Sequence, residues 1–393
     1  MKVLLVGNYP LDAQESMLRF ARLLAEGLPA LGVEVSLIQP QACLTRLMGD
    51  GADPHRGLAK LLGYADKFLV FPLRLWRAAK RSDLVHICDH SNAMYGRWTA
   101  GRLWGVTCHD LLAVRSASGE IPENPVSSSG RVLQRWILSW LQRAPWGVCD
   151  SGATREDLLR LTGLPPERVM MLHIGLNHPY QRRPEAEWRP AWQALQTRRQ
   201  LPSSGRFLLH VGGHQWYKNR AGVLRLFAGL ARDEADLQLV IAGKKATPAQ
   251  RQVVAELGLT GRIHFVGAVD NDELELLYHA AEFLLFPSKA EGFGWPVVEA
   301  QACGCRVAAS NRAPLPEVGG DSVVYFDPDD EVGALIPLRQ LLAEMPAQRE
   351  ARCQAGLVNA QRFRAATMLE GYAHWYRRLL NPAMEGTLDE CAC

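Results

Sequence analysis

The sequence predicts an α/β protein that consists of two doubly wound parallel sheets in succession. Short apolar runs typical of buried strands alternate with amphipathic runs typical of helices along the whole chain. At 393 residues the chain is long enough for two domains of ordinary size. A stretch rich in proline, arginine and tryptophan, from Asn177 to about Pro190, is the predicted linker. We therefore expect one domain over residues 1–178 and a second over residues 185–364.

The predicted strands share the apolar character of strands that are buried in a parallel sheet. In the first domain they are Lys2–Val6, Val33–Ile38, Leu84–Ile87, Gly105–Cys108, Gly147–Cys149 and Val169–Leu172. In the second domain they are Phe207–Val211, Leu237–Ala242, Arg262–Val266, Phe283–Phe286, Arg306–Ala309 and Val323–Tyr325. A last helix is predicted in the segment 365–382, where Tyr372, Trp375 and Tyr376 share one face at helical spacing. We expect that face to be a packing surface.

The composition is that of a globular protein, with 48% hydrophobic and 22% charged residues and a net charge of only +3. This charge gives no reason to expect nucleic acid as a partner. The nine cysteines show neither a C-x-x-C pair nor zinc-ligand spacing, so we expect reduced thiols and a cytoplasmic setting. The start of the chain, Met1–Gly7, has the pattern of a β-strand rather than of a leader. The longest uncharged apolar run, Phe68–Leu73, is too short to cross a bilayer.

The most informative motif is the segment Ala290–Glu299, in which Glu291 and Glu299 flank a glycine-rich turn. It follows the predicted strand Phe283–Phe286, and its proline suits the first position of a helix over Pro296–Cys303. A helix that starts at the carboxyl end of a parallel strand often binds anions, whereas carboxylates accept hydrogen bonds from hydroxyl groups. A nucleotide sugar, with phosphates and polyols, fits both features. The alternative is that both glutamates are solvated or capping groups.

The run EGFG at Glu291–Gly294, together with Glu299, resembles the E-x7-E motif of the retaining glycosyltransferases of family 4, also described as glycosyl transferases group 1. The flanking runs Phe286–Ser288 and Ala300–Gly304 also match this family. The resemblance implies a GT-B fold, in which two Rossmann-like domains face a cleft and the last helix crosses back to the first domain. It also implies transfer of a hexosyl group from a nucleotide-diphosphate sugar, with retention of configuration and without a metal or other cofactor. The implied acceptor is a glycan or a lipid-linked acceptor in cell-surface polysaccharide or glycolipid biosynthesis.

The resemblance further implies which residues of the second domain bind the donor. Lys218, in a segment similar to the family's VG-x…KN run, would contact the diphosphate, and Glu299 would hold the ribose. Where the family has an arginine this chain has Gly213, so phosphate neutralisation would depend on Lys218, helped by His214 or Arg220. The whole expected donor-binding set, including main-chain contacts at Val266, Phe293 and Gly294, is Gly213, His214, Lys218, Gly243, Val266, Phe293, Gly294, Trp295 and Glu299.

The resemblance assigns catalytic roles to Lys218, to Glu291 at the transferred sugar, and to His109 of the first domain. His109 follows the last residues of a predicted strand and matches the histidine of the family's HD pair, which contacts the donor sugar. We expect it to face the cleft, and we expect Asp110 either to orient its ring or to cap the next element. A lone histidine at a strand end is more often structural. The sequence shows no evident nucleophile, so the departing phosphate is expected to help deprotonate the acceptor.

The loop after the first strand, Gly7–Met17, departs from the family pattern, which has a pair of glycines there. Gln14, Glu15 and Ser16 offer groups that bind hydroxyls. We therefore expect these three residues to bind a sugar acceptor.

The run Asp270–Asp272 has the D-x-D form of a metal site, but it directly precedes the predicted helix Glu273–Ala280. Aspartate is a common helix cap, and a hard cation needs several converging oxygens. We therefore expect a helix cap here and no metal site.

Two basic segments, His55–Arg81 and Arg131–Arg143, also contain apolar and aromatic residues. This pattern is typical of helices that lie in a membrane interface, and equally of helices that pack on a sheet with a solvated basic face. The membrane interpretation predicts a protein that is peripheral on the inner face of a membrane, with a lipid-linked acceptor.

Two other functions stay open. One is another GT-B enzyme, such as an epimerase or a phosphorylase, although nothing in the sequence marks the pyridoxal lysine of a phosphorylase. The other is a non-catalytic nucleotide-sugar-binding protein on the same scaffold, which the missing arginine at Gly213 and the altered Gly7–Met17 loop favour.

Overall fold

The computed structural model describes residues 1–12, 14–48, 57–201 and 206–381. The chain divides into two compact units, of which the first contains Met1–Asn177 and the segment that begins at Ala365, and the second contains His178–Arg364. Each unit contains one six-stranded sheet together with helices. The prediction of two doubly wound α/β domains is therefore confirmed.

The first unit is built on a wholly parallel sheet. Its strands are β1 Lys2–Val6, β2 Glu34–Ile38, β3 Leu84–Ile87, β4 Leu103–Cys108, β5 Gly147–Cys149 and β6 Val169–Met171. Its helices are α1 Glu15–Gly27, α2 Gly57–Ala65, α3 Phe71–Ala79, α4 Leu112–Ser118, α5 Ser128–Leu141 and α6 Gly152–Thr162, and a π-helical turn, Asp66–Val70, joins α2 to α3. The strand order is β2-β1-β3-β4-β5-β6, so the direction of winding reverses between β1 and β3.

The second unit has the same plan, again with every strand pair parallel. Its strands are β7 Phe207–Gly212, β8 Gln238–Gly243, β9 Ile263–Gly267, β10 Phe283–Phe286, β11 Val307–Ser310 and β12 Val324–Phe326. Its helices are α7 Glu185–Arg199, α8 Arg220–Ala231, α9 Pro248–Glu256, α10 Asn271–Ala280, α11 Trp295–Ala302, α12 Leu315–Gly319, α13 Glu331–Leu342 and α14 Pro346–Ala360. The order β12-β11-β10-β7-β8-β9 reverses between β7 and β10. In open α/β sheets, ligands bind at the carboxyl ends of the strands where this reversal occurs.

Central strands such as β1 and β10 are apolar runs because their side chains are buried on both faces of the sheet, whereas the outer strands β2 and β9 are partly exposed. In β1 the residues from Val3 to Val6 are at most 1% exposed, and in β10 all four residues are fully buried. Polar side chains are therefore found mainly where the strands end, which concentrates the candidate chemistry at the carboxyl edges of the two sheets.

The second half of the predicted linker is wrong, because α7 begins at Glu185 and continues through Pro190. A proline within a helix is costly. The helix forms because Glu185 and Glu187 lie in its favourable first turn and because Trp192 is buried, stacking on Phe207 with ring centroids 5.5 Å apart. Tertiary packing thus outweighs the helix-breaking tendency of Pro190.

The last helix, α15 Ala365–Leu380, belongs to the first unit, as predicted. Its aromatic face is a packing surface: the Tyr376 hydroxyl lies 2.7 Å from His86 Nδ1, and the Tyr372 hydroxyl lies 2.9 Å from Thr107 Oγ1. Burial lowers the pKa of His86 to about 3, so its ring is neutral. Gly105 is required beneath this face, because a Cβ there would lie 2.5 Å from the Trp375 ring.

Candidate functional site

Lys218 and Glu291 form an ion pair at the point where the order of the second sheet reverses. Lys218 lies in the 3-10 turn Trp216–Lys218 after β7, and Glu291 lies in the loop between β10 and α11. The Lys218 ammonium donates to Glu291 Oε1 at 2.7 Å, and the side chains are only 15% and 8% exposed. An ammonium next to a carboxylate can bind a phosphate and a hydroxyl group of one ligand. The structure thus brings together two of the three residues predicted to be catalytic.

The turn that carries Lys218 is connected to the loop after β10 by two further hydrogen bonds. Asn219 has a left-handed conformation, with φ of 49°, and its Nδ2 donates to the Pro287 carbonyl at 3.1 Å. The Lys289 N–H donates to the Tyr217 carbonyl at 2.7 Å. These bonds fix the position of Lys218 before any ligand arrives, so little ordering is needed on binding.

The start of α11 depends on glycine. Gly294 is the N-cap with φ of 103°, and a Cβ there would lie 2.6 Å from a methyl group of Leu315. Gly304, directly after the C-cap Cys303, has φ of 73°, a conformation that favours glycine at a helix end. The Phe293 side chain is buried and packs on Phe363, with ring centroids 5.5 Å apart. Phe293 therefore anchors the turn in the core, and Trp295, the first residue of α11, is half-buried.

Glu299 is buried on α11, where Tyr278 of α10 orients its carboxylate. The Tyr278 hydroxyl donates to Glu299 Oε2 at 2.8 Å. Burial, and then the charge of Glu299, raise the pKa of Tyr278 well above 10, so the hydroxyl remains a donor. Sequence reasoning missed Tyr278, because at its helical position a tyrosine is indistinguishable from a core residue. A carboxylate held in this way is a suitable acceptor for hydroxyl groups.

The ends of β8 and β9 carry two more of the predicted donor-binding positions. Gly243 has φ of 127°, and a Cβ there would lie 2.2 Å from the Gly212 carbonyl oxygen, so glycine is needed for the close approach of β7 and β8. The Val266 carbonyl accepts a hydrogen bond from Arg199 Nη1 at 3.2 Å. A nucleobase near Val266 would therefore share this oxygen with Arg199 or contact the neighbouring main chain.

His214 contacts a buried guanidinium rather than standing alone. Arg220 Nη1 lies 3.3 Å from His214 Nδ1, and Nη2 donates to the Lys244 carbonyl at 2.7 Å. Burial, and then the charges of Arg220 and Lys244, lower the pKa of His214, so its ring is a neutral acceptor. Gly213, where the resemblance places an arginine, precedes this group directly in the chain.

In the first unit, both nitrogens of the His109 ring face acceptors. Nδ1 lies 2.5 Å from Asp150 Oδ2, Nε2 lies 2.9 Å from the Cys88 carbonyl, and the residue is 4% exposed. Burial alone would lower the pKa of His109, but the Asp150 carboxylate, with a smaller contribution from Asp89, raises it to about 9. With two acceptors in place, both ring nitrogens donate and the ring is an imidazolium.

Asp150, not Asp110, orients the His109 ring. Asp110 Oδ1 accepts from the Leu112 N–H at 3.0 Å and so supports the start of α4, the second of its two predicted roles. Asp150 was missed, although it follows β5 just as His109 follows β4. Because β4 and β5 are adjacent strands, residues directly after them meet at one edge of the sheet.

The predicted acceptor loop lies where the order of the first sheet reverses; Ala13 is outside the described residues. Gln14, Glu15 and Ser16 are exposed at the start of α1. Asn8 lies two residues after the end of β1, and its Nδ2 donates to Gln14 Oε1 and, at 2.5 Å, to Asp89 Oδ2 after β3. The structure thus adds Asn8 and Asp89, both buried, to the polar groups expected here.

Asp270 caps α10, as predicted: its carboxylate accepts from the Glu273 N–H at 2.8 Å. In the described part of the chain, two groups of side chains could converge on a metal ion, and one of them includes Asp272 of the run Asp270–Asp272. They are Glu275, His279 and Cys303, and His178, Asp272 and Glu275. Arg183 already donates to both oxygens of their shared Glu275, at 3.1 Å each, so a cation would have to displace this ion pair.

Comparison with known proteins matches both halves of the chain to glycosyltransferase families. Residues 194–353 match the family model described as Glycosyl transferases group 1, and residues 17–178 match the one described as Glycosyltransferase Family 4. The first of these segments includes every strand of the second sheet, the other includes β2 to β6 of the first sheet, and together they include most of the chain.

Individual relatives agree with these matches. The O-antigen chain mannosyltransferase B of Escherichia coli is 29% identical over 62% of this chain, and the D-inositol 3-phosphate glycosyltransferase of Salinispora tropica is 30% identical over 70% of it. The matched regions span 63% and 61% of those two relatives. The structure of Anabaena HepE in complex with UDP and glucose covers 96% of this chain and 99% of its own, with a TM-score of 0.70 at 18% identity, and so shares the fold.

Proposed function

Because the chain belongs to glycosyltransferase family 4, we propose that it transfers a hexosyl group from a nucleotide-diphosphate sugar to a glycan or lipid-linked acceptor. The observation that carries the proposal is the Lys218–Glu291 pair at the sheet reversal, with buried Glu299 on the following helix. In the proposed complex the Lys218 ammonium stabilises the leaving diphosphate, Glu291 accepts from hydroxyls of the transferred sugar, and Glu299 accepts from the ribose.

The proposed reaction retains the anomeric configuration. The bond between the anomeric carbon and the diphosphate oxygen breaks while the bond to the acceptor oxygen forms on the same face. The acceptor hydroxyl gives its proton to the departing diphosphate, so no protein nucleophile is required. Lys218 and the N-terminus of α11 supply positive charge to the leaving group, and we propose that the reaction proceeds without a metal ion.

The names of the relatives guide the choice of substrates for a test. One is an O-antigen mannosyltransferase, another is a D-inositol 3-phosphate glycosyltransferase, and HepE binds UDP and glucose. We propose a role in cell-surface polysaccharide or glycolipid biosynthesis. UDP-glucose, UDP-galactose and GDP-mannose, offered with glycan and polyprenyl-diphosphate-linked acceptors, are a suitable first panel.

The decisive experiment measures release of nucleoside diphosphate and the configuration of the product. We expect release with one donor, an unchanged rate in EDTA, and an anomeric NMR signal of the same configuration as in the donor. Glu291→Gln should lower kcat by about 10²-fold or more, because hydrogen bonds to the transferred sugar strengthen in the transition state. Inversion of configuration would contradict the mechanism, and a rate that requires a divalent cation would contradict metal independence.

A non-catalytic nucleotide-sugar-binding protein is the second candidate, favoured by the glycine at position 213. It predicts saturable binding of a nucleotide sugar, for example by calorimetry, without release of nucleoside diphosphate for any acceptor. Binding without turnover would therefore select this alternative.

We also propose that the protein acts at the cytoplasmic face of a membrane, through a surface on α2, the π-helical turn and α3. Large apolar side chains are exposed along these helices at Leu58, Leu61, Leu69, Leu73 and Trp76, and they alternate with exposed basic residues at Lys60, Arg74, Arg77 and Lys80. The one acidic residue of the segment 57–81, Asp66, is buried and accepts hydrogen bonds from Leu44 N and Thr45. Such a surface fits an anionic lipid bilayer. His55 and Arg56, which began the predicted basic segment, lie outside the described residues.

Within the described residues, none of the helices combines the length and apolarity needed to cross a bilayer. Vesicle co-sedimentation tests the peripheral surface. We expect binding to phosphatidylglycerol vesicles that is weak with phosphatidylcholine alone, and loss of binding in Leu69→Ser/Leu73→Ser. Val332→Ser/Ile336→Ser, at exposed aliphatic positions on α13, is the control and should bind as the wild type does. Binding that does not depend on anionic lipid would contradict the proposal.

A further inference from the structure

Arg220 is a buried cation without a carboxylate partner. It is the first residue of α8 and is 5% exposed. In the described part of the chain, no carboxylate oxygen lies within the 4.0 Å that defines an ion pair with its guanidinium. Lys218, on the preceding turn, has Glu291 as its counterion. A buried charge without a partner is costly, so a positive group kept in this state indicates an anion that arrives from outside.

The guanidinium is held in place by neutral acceptors. One N–H group points to His214 Nδ1 at 3.3 Å, and another donates to the Lys244 carbonyl at 2.7 Å. Its Nε is buried without a hydrogen-bond partner. A guanidinium has five N–H donors, so three remain for a ligand with several acceptor oxygens. Burial also lowers the pKa of Arg220, as expected for a cation whose charge is not compensated locally.

The residues around Arg220 add further positive charge, and the nearby carboxylate of Glu291 is already paired with Lys218. The carbonyl that fixes Arg220 belongs to Lys244, Lys245 follows directly, and both lie after β8, next to the strand that leads to Lys218. His210 of β7 lies close to Lys218, since a Cβ on Gly212 would lie 2.9 Å from His210 Nε2 and 3.4 Å from Lys218 Cβ. After burial, the charges of Arg220 and Lys218 both act to lower the pKa of His210. This arrangement forms one electropositive rim over the carboxyl ends of β7 and β8.

We propose that Arg220 binds the diphosphate of the donor and supplies the guanidinium that Gly213 lacks. The inference rests on the proposed function, because it assigns a residue to the same nucleotide site. His214 acts as a positioning residue: as a neutral acceptor it fixes the plane of the guanidinium. A planar fork of donors suits phosphate oxygens better than a second ammonium would.

The test compares ligands with and without phosphates in Arg220→Gln and Arg220→Lys. Binding of UDP and GDP, of uridine and guanosine, and of inorganic pyrophosphate is measured by calorimetry or NMR titration. In Arg220→Gln we expect the Kd of the preferred diphosphate and of pyrophosphate to rise about 10- to 100-fold, with the nucleoside Kd unchanged. Arg220→Lys should show a smaller rise in the Kd of the diphosphate and of pyrophosphate. The control is Arg225→Gln, on α8 like Arg220, which removes an exposed ion pair with Glu331 of α13 and should bind as the wild type does.

A purely structural Arg220 predicts a different pattern. Removing Arg220 would then lower the melting temperature of the free protein, and it would weaken binding of the diphosphate and of the nucleoside equally or leave both unchanged. Either binding result overturns the inference. A wild-type protein that binds neither diphosphate nor pyrophosphate would overturn the proposed function as well, so the two failures are distinguishable. If Arg220→Gln does not fold, Arg220→Lys is the test variant. A ratio of diphosphate Kd to nucleoside Kd that is the same in this variant as in the wild type contradicts the inference.

Discussion

Lys218 and Glu291 lie 73 residues apart in the chain and form a hydrogen-bonded ion pair of 2.7 Å. They meet because β7 and β10 are neighbours at the reversal of the sheet order. The pair is largely withdrawn from solvent, so each side chain serves as the counterion of the other until a ligand takes over part of that role. Substituting one or both residues should therefore affect stability and activity differently.

Lys218→Met should lower both stability and activity. It leaves the Glu291 carboxylate nearly buried without its partner, and we expect the free energy of unfolding to fall by about 2–4 kcal/mol. The double variant Lys218→Met/Glu291→Gln should recover most of that stability, but kcat should stay about 10²- to 10³-fold below the wild type. Urea denaturation and diphosphate release measure the two effects.

The matched control for this pair is Lys289→Met. Lys289 pairs with Asp329 at 2.6 Å, but the two side chains are 34% and 53% exposed. An exposed pair contributes about 0–1 kcal/mol, so its loss should change neither stability nor kcat appreciably. Full activity in Lys218→Met would contradict the assignment of Lys218 to the leaving group.

Tyr278→Phe should weaken donor binding without stopping turnover. The variant loses the 2.8 Å hydrogen bond to Glu299, so the carboxylate that is proposed to hold the ribose is less well oriented. We expect the donor KM to rise about 5- to 10-fold, kcat to change less than 2-fold, and stability to fall by about 1–1.5 kcal/mol. Tyr325→Phe removes a similar hydroxyl, bonded to the Gly320 carbonyl at 2.9 Å, and should cost stability with no change in donor KM. An equal effect on the donor KM in both variants would contradict the proposed role of Tyr278 in orienting Glu299.

The sequence was sufficient for the architecture because that depends on patterns that repeat along the chain. Alternating buried strands and helices predict doubly wound sheets, and the limits of most strands are found within two residues. Lys218 and Glu291 could be placed near each other, since both follow strands whose carboxyl ends meet at one edge. Their roles, however, came from resemblance to a family and not from the pattern.

The partner of His109 could not be predicted, because it depends on side-chain direction across neighbouring strands. Asp110 is adjacent in sequence but turns to the Leu112 N–H, whereas Asp150 arrives from the next strand of the sheet. The helix through Pro190 is a similar case: burial of Trp192 decides it, and burial is a property of the whole fold. Local sequence signals fail where a tertiary contact outweighs them.

Stability should depend on pH through His109. Its ordinary pKa is 6.5; burial lowers it, and the charge and hydrogen bond of Asp150, together with smaller contributions from Asp89 and the Cys88 carbonyl, raise it to about 9 in the folded state. The folded protein therefore holds this proton more tightly than the unfolded chain does. The contribution, about 3 kcal/mol at most, is fully present below pH 6.5 and is lost as the pH rises through 9. Urea denaturation between pH 6 and pH 10 measures it.

Asp150→Asn isolates the His109 contribution from other titrating groups. The variant keeps the shape of the pair but removes the charge that raises the pKa of His109, so the decline in stability between pH 6.5 and 9 should flatten. His86 should have the opposite pH dependence. Its pKa of about 3 in the folded state lies below 6.5, so its contribution to stability is lost only as the pH falls from 6.5 towards 3. An unchanged slope above pH 6.5 in Asp150→Asn would show that the pair is not the source.

The loop after β1 should affect the acceptor and not the donor. Gln14 is exposed, yet its side-chain oxygen accepts from Asn8, whose amide also donates to buried Asp89. This network fixes Gln14 at the edge of the first sheet, while the residues proposed to bind the donor belong to the second unit. We expect Gln14→Ala and Glu15→Ala each to raise the acceptor KM about 3- to 10-fold, because each variant loses one or two exposed hydrogen bonds to the acceptor. The donor KM should stay unchanged.

Two substitutions make this prediction specific to the loop. Glu26→Ala, an exposed position further along α1, should leave both KM values unchanged because it lies outside the network. Asn8→Ala should raise the acceptor KM at least as much as Gln14→Ala does, because it releases Gln14 and leaves the buried Asp89 carboxylate without one of its donors. A rise in donor KM alone in these variants would place the loop at the donor, as in the family pattern from which its sequence departs, and would reject it as an acceptor site.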